Sequence, residues 1–371
     1  MRWDKDTLVS LSETLNAKIN ESIYRKALPF KEDRLDLTTL STEENFPIQL
    51  VKQILERVDG SAELQADEQR AKSLIHVFQE NQNTLNNQGY HTLGLGYPSF
   101  IHAEDKYSLS PVAMPLFVWQ LEANPSPNRK DTWTISKKKN AKPTVNKHFV
   151  RYIKQHFDLD VAEEMYALTE NAAMNGNNLS ALCNRISLKL GIEGNMTGFA
   201  VVPSPTQEEL REISEEPILR FSAILGLFGA DDGTLLEYIQ DRIEEVDTES
   251  VFAQNPKNDF EHPFSLTVPD PCQKNIYLQT TKQALTIAEG GNGTGKTRAI
   301  EYILANYLAN GKTAVVISPS LEKLEHTKAF FRKHGLGQYT QIISDPKNQL
   351  EEFTTRLKEI PASLKSESFS D

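Results

Sequence analysis

The run Gly290-Gly291-Asn292-Gly293-Thr294-Gly295-Lys296-Thr297 matches the pattern G-x-x-x-x-G-K-[ST] at every position. A short apolar run, residues 284–288, precedes it and reads as a buried parallel strand. Ala299, Ile300, Ile303, Leu304, Tyr307 and Leu308 follow at helical spacing, and Asn310-Gly311 ends that helix. Strand, glycine-rich loop and helix form the context in which the pattern holds phosphate. Glycines let backbone N–H groups curl around an anion, and the helix N-terminus adds the positive end of its dipole. Lys296 is placed to reach the β- and γ-phosphates of ATP, and the Thr297 hydroxyl to take a position on Mg²⁺.

Downstream, residues 313–317 form a second β-branched run that ends in Ser318-Pro319-Ser320. Upstream, Asp270-Pro271-Cys272-Gln273 lies one helix before the first strand. In these features the chain resembles superfamily 1 helicases of the Upf-like branch. The resemblance implies that Gln273 reads the adenine edge and that Ser318 and Ser320 contact a DNA or RNA strand. It also implies nucleotide contact along the whole loop, from Gly290, Gly291, Asn292, Gly293, Thr294 and Gly295 to Lys296, Thr297 and Arg298. Two departures stand out: Gly291-Asn292 replaces the usual Pro-Pro, and Arg298 replaces the common Gln.

With 371 residues, the chain is long enough for two domains with a substantial core. Its 39% hydrophobic and 25% charged residues are ordinary for a globular protein. A net charge of −11 argues against non-specific coating of nucleic acid, although a basic channel is compatible with it. Cys183 and Cys272 have no metal-ligand spacing and read as free buried thiols in a reducing cytoplasm. No leader or membrane-length apolar run stands out, so a cytoplasmic protein without membrane contact is expected.

Residues 1–90 read as mainly helical. Leu8, Leu11, Leu15 and Ile19 form one stripe, and Phe46, Ile48, Val51, Ile54 and Leu55 a second. Leu64, Ala71, Leu74, Ile75 and Phe78 form a third, over 64–85. Strands are expected near 91–102, 111–123 and 130–138, with a turn at 124–128. Gly94 and Gly96 signal a bulge or a close approach of another segment. Helices follow over 145–157 and 179–190, then strand-like runs at 197–203 and 220–229, then a helix over 234–245. This middle stretch resembles, in apolar pattern and order, an uncharacterised prokaryotic domain. That domain commonly precedes superfamily 1 helicase cores, often in anti-phage defence proteins.

The expected organisation is therefore a mixed α+β accessory domain over 1–250, which also offers a surface for a protein partner. A proline-punctuated linker over 251–271 leads to a partial P-loop (RecA-like) parallel α/β domain over 272–371. Helices are expected over 322–334, with a stop at 335–337, and over 349–358. The basic run Lys137-Lys138-Lys139-Asn140-Ala141-Lys142 reads as a solvated loop before a phosphate contact. Trp119 and Trp133 read as core before base-stacking platforms. His148 and His156 share a helix without an acid partner, and no metal or nucleophile–His–acid grouping is evident.

A motor of this kind also needs an acidic pair and arginines from a second motor domain. Asp345 lacks an acidic neighbour, and Asp231-Asp232 precedes the loop. The expectation is the ATP-binding N-terminal portion of a helicase or translocase, with little hydrolysis by this chain alone. The competing expectation is a nucleotide-responsive scaffold that uses ATP as a switch.

Overall fold

Ten consecutive buried residues, LGLGYPSFIH, leave no exposed face on the strand β3 (Leu93–His102). A strand of that composition must be covered on both sides. β3 is the hub of an antiparallel sheet in a computed structural model of the chain. The structure describes residues 5–56, 61–103, 111–139, 141–170, 174–192, 200–212, 216–229, 236, 239–240, 243, 263–283, 285–291, 293–344, 349 and 353–355.

The chain divides into two compact units. One spans Asp4–Leu85 and His91–Glu244; the other comprises Met1–Trp3, Asn86–Tyr90 and Glu245–Asp371. In the first unit, eight strands follow the order β1-β8-β3-β4-β5-β2, with β6 paired to β4 and β7 to β3. Their ranges are β1 (Arg34–Asp36), β2 (Ser61–Gln65), β4 (Val112–Pro125), β5 (Thr132–Lys137), β6 (Thr144–Val145), β7 (Ile218–Arg220) and β8 (Ile224–Leu227).

The neighbour on one edge of β3 changes at a proline. β8 pairs with Leu93, Gly94, Leu95 and Gly96, and β7 with Ser99, Phe100 and Ile101. Pro98 between them has no N–H to donate, so the ladder breaks there. The sequence places Gly94 and Gly96 at a close approach, and the approaching group is the Phe228 ring. A Cβ would lie 2.9 Å from that ring at Gly94 and 2.8 Å at Gly96.

Helices cover the sheet with the apolar faces their spacing sets. They are α1 (Lys5–Asn20), α2 (Phe46–Glu56), α3 (Glu68–Gln88), α4 (Lys147–Phe157), α5 (Ala162–Glu170), α6 (Gly176–Lys189) and α7 (Gln207–Glu212). α2 contributes Phe46, Leu50, Val51, Ile54 and Leu55 to the core, and α6 contributes Leu179, Leu182, Cys183 and Ile186. Asn146 caps α4 by accepting the His148 N–H. Its amide also donates to the carbonyls of Pro115 and Tyr24, which fixes the helix against β4.

Several expectations change. Leu64 is not the start of a helix but lies in β2, opposite Trp133 of β5. The strand-like run at 220–229 resolves into β8 alone beyond Arg220, and described residues 200–203 form no strand. Trp119 and Trp133 are buried in the core and do not offer faces for base stacking. His148 packs against Tyr24, and His156 stacks on Tyr152. Of the helix expected over 234–245, Leu236, Ile239, Gln240 and Ile243 are described and helical.

The second unit contains α8 (Pro271–Lys282), α9 (Lys296–Ala309) and α10 (Leu321–Lys333), with a short 3-10 turn at Gly337–Tyr339. Its described residues form no strand. Residues 285–288, the described part of the strand expected over 284–288, and residues 313–317 are unpaired, and Val315 and Ile317 are 87% and 91% exposed. The chain is thus mixed α and β with an antiparallel sheet. A strand is stabilised by its neighbours across the ladder, and two short runs gain little from pairing alone. No helix among the described residues is long and apolar enough to cross a membrane.

Candidate functional site

Two helix starts meet at the glycine loop. α8 begins with a reciprocal cap in which the Asp270 carboxylate accepts the Gln273 N–H at 2.9 Å. The Gln273 side-chain oxygen in turn accepts the Asp270 N–H at 3.1 Å. Pro271 fills the first helical position, where a missing N–H costs nothing. The remaining end of the Gln273 amide, Nε2, donates to the Gly295 carbonyl at 3.3 Å. Both ends of this side chain are therefore engaged, and the residue is only 6% exposed.

Gly295 is the residue before α9 and has φ +79°, with Gly293 at φ +81°. A Cβ on Gly295 would sit 2.6 Å from the Gln273 amide nitrogen. Conformation and space both demand glycine there. As the cap of α9, Gly295 supplies no side-chain acceptor, and the first turn contains no acid. The opening N–H groups of α9 are thus available to an anion beside the positive end of the helix dipole.

Lys296 turns its ammonium onto the carbonyls of Gly290 and Gly291, and Thr294 Oγ1 donates to Gly291 O at 2.9 Å. Thr297 and Arg298 are exposed next to them. The loop residues brought together are Gly290, Gly291, Gly293, Thr294, Gly295, Lys296, Thr297 and Arg298. Asn292 lies outside the described residues, as do Asp231, Asp232 and Asp345.

This donor set fits a polyphosphate: one exposed ammonium, glycine backbone and an uncapped helix start. Thr297 offers a hydroxyl suited to Mg²⁺, which keeps several waters and takes few protein ligands. Among the described residues, no group of three His, Cys, Asp or Glu side chains gathers as a metal site.

α9 is held from behind by contacts the sequence did not announce. Asn306 is fully buried; its oxygen accepts the Phe264 N–H at 2.7 Å and its amide donates to Phe264 O at 2.8 Å. It thereby imitates a strand neighbour for the segment leading into α8. Tyr277 of α8 meets Tyr302 of α9 edge-on, with ring centroids 5.3 Å apart. A polar residue inside an otherwise apolar helical face was the available signal for Asn306.

Glu301 is 4% exposed on α9, and its Oε1 has no hydrogen-bond partner. The exposed His326 imidazole of α10 lies 3.7 Å away. Burial pushes the Glu301 carboxyl above the usual carboxylate range, against the pull of His326, Arg298 and His334.

Ser318 Oγ donates to Ser320 O and accepts the Ser320 N–H, each at 3.2 Å, so it braces the turn before α10. Both serines are partly exposed. Cys272 is exposed at the start of α8, whereas Cys183 is buried and its thiol is pushed up to about 12. No protein-family model matches the chain, and no curated protein or solved structure matches it.

Proposed function

We propose that the chain binds ATP through residues 290–297 and belongs to a superfamily 1 helicase or translocase that acts on DNA or RNA. The observation that carries the reading is the glycine loop itself. Two positive-φ glycines lead into an acid-free, uncapped helix start, beside a lysine held only by loop carbonyls.

In this reading Lys296 transfers its ammonium from the Gly290 and Gly291 carbonyls to the β- and γ-phosphate oxygens. Backbone N–H groups of the loop and of α9 share the phosphate charge, and Thr297 holds Mg²⁺. When bound, the nucleotide supplies a transferable γ-phosphoryl group. Gln273 ties α8 to the loop, and reading an adenine edge requires it to release one of its two present partners. In this reading the runs 284–288 and 313–317, unpaired among the described residues, are the neighbouring strands of a parallel sheet flanking the loop once nucleotide is bound. Ser318 and Ser320 lie against the strand backbone.

Calorimetric titration with MgATP tests the reading. The parent chain is expected to bind and Lys296→Ala to lose binding. Equal affinity in both would remove the phosphate loop from consideration.

A further inference from the structure

α9 buries two polar side chains, Glu301 and Asn306, and only one of them is satisfied. The Asn306 amide is bonded at both ends. Glu301 is 4% exposed, and its Oε1 has no hydrogen-bond partner. An ionised carboxylate in such a place is costly unless a cation or a proton answers it.

The group that can answer it lies on α10. His326 Nδ1 is 3.7 Å from the unbonded oxygen, and the His326 side chain is 72% exposed. The other charged groups around the carboxylate are Arg298, exposed one turn earlier on α9, and His334 at the end of α10. His334 is engaged elsewhere, since its Nδ1 donates to Phe330 O at 2.8 Å. α8, which also packs on α9, brings the Tyr277 ring to Tyr302 and, among the described residues, no charge to Glu301. Beside His326 on its own helix, Glu322 and Lys323 stand one turn earlier, exposed and opposite in sign.

α10 is lightly held. Of its 13 residues only Phe331, in the last turn, is buried. His326 meets Glu301 more than a turn before that anchor, where no side chain of α10 is buried. The helix also opens directly after Ser318-Pro319-Ser320, so movement of its first turns carries those serines with it.

We propose that Glu301 and His326 are a proton-operated clasp, which holds α10 on α9 while the pair carries one proton and lets its first turns part when the pair carries none. One proton suffices in either position. On the imidazole it gives a cation facing the carboxylate, and on the carboxylate it removes the buried charge. The two groups therefore titrate as a pair. Without that proton Glu301 is a lone buried charge, and water reaches it only when α10 moves off. Burial holds the Glu301 carboxyl above the usual carboxylate range, so the closed form keeps a proton that the open form has lost. A value raised in the closed form stabilises closure at low pH, and that advantage is lost as pH rises through it. An imidazole changes charge between about pH 5 and 8, which sets the range to search.

The test is amide hydrogen exchange over α10 in the whole chain without nucleotide, read by mass spectrometry and corrected for the intrinsic rate at each pH. In the parent, protection of residues 321–329 should fall by up to about tenfold per pH unit within that range, the limit for one linked proton. Protection of β3 should stay level. Glu301→Gln should keep α10 protected at every pH, because a neutral amide needs no proton. His326→Lys carries its charge throughout and should also hold α10 closed at high pH. His326→Gln leaves only the carboxyl to take the proton and should move release to lower pH.

A parent profile that is level across the range overturns the proposal, and so does a slope that survives Glu301→Gln. A His326→Lys profile as steep as the parent's overturns the pairing. If Glu301→Gln does not fold, the two His326 variants decide, because that side chain is exposed. No nucleotide enters the measurement, so failure of the clasp and failure of the phosphate loop are separate results.

Discussion

Gln273 is the side chain at which two roles separate by experiment. Its oxygen completes the start of α8, and its amide nitrogen reaches the last glycine of the loop. Gln273→Ala removes both bonds from a residue that is 6% exposed. Loss of half of a reciprocal cap and of one weak hydrogen bond should cost about 1–2 kcal/mol. Gln273→Glu divides the effect. A carboxylate still accepts the Asp270 N–H, but it has no hydrogen to give to Gly295 O and places negative charge beside that carbonyl. The glutamate variant should therefore keep the cap and lose the tie to the loop. Urea unfolding reads the first effect, and calorimetry with MgATP and MgGTP reads the second. Both variants should bind the two nucleotides more weakly by a similar factor, about fivefold to tenfold for roughly 1–1.4 kcal/mol of lost preorganisation. If Gln273→Ala retains the parent's stability and its GTP affinity while losing preference for ATP, the side chain reads the base and the positioning argument fails.

Lys296→Ala should lower MgATP affinity by about 2–4 kcal/mol while leaving the unfolding midpoint unchanged, because the ammonium is exposed and bonds only to its own loop. Calorimetry and a urea melt check the two halves. Glu301→Gln should stabilise the chain near pH 7.5 and not near pH 4. The raised Glu301 pKa favours the fold when the carboxyl is protonated, and that advantage is lost as pH rises through the raised value. Thermal melts at both pH values should show a gain of a few degrees only at the higher pH, for about 1 kcal/mol. Asn306→Ala strands both Phe264 backbone groups and should cost about 2–4 kcal/mol, with faster amide exchange at Phe264 as the local signature. Gly96→Val forces a side chain toward the Phe228 ring and Pro115 and should cost about 1–3 kcal/mol or more in urea unfolding.

The helices were legible where an apolar stripe coincided with a stop signal. α9 ends at Asn310-Gly311 and α10 at Gly335 as their residues imply. The long strands β3, β4 and β5 were legible for the same local reason. Short strands were not: β1 has only Arg34, Leu35 and Asp36, and β2 alternates too briefly to outweigh the helical spacing that begins at Leu64. Pairing is the property that local pattern does not contain. The runs 284–288 and 313–317 have strand composition, yet a strand exists only with a neighbour, and none of the described residues pairs with 285–288 or 313–317. At the site, residue types were legible and their partners were not. Nothing local in Gln273 foretells a hydrogen bond to a glycine 22 residues away.

The edge change at Pro98 also orders events in time. β2, β3, β4 and β5 lie within residues 61–137; the β3–β4 and β4–β5 pairings close short segments of chain, and β2 joins once β5 is made. β1 has to wait for β8, since Leu35 pairs with Leu225. Ribosomes add about 5–20 residues each second, so the stretch from His102 to Ile224 leaves one edge of β3 uncovered for roughly 6–25 s during synthesis. Through that interval the nascent chain presents an unpaired ladder edge beside Gly94 and Gly96, a surface that invites pairing with another chain. Pairing of β8 with Leu93, Gly94, Leu95 and Gly96 closes it and brings Phe228 over the glycines, which makes residues 224–228 the natural checkpoint for productive folding of this unit.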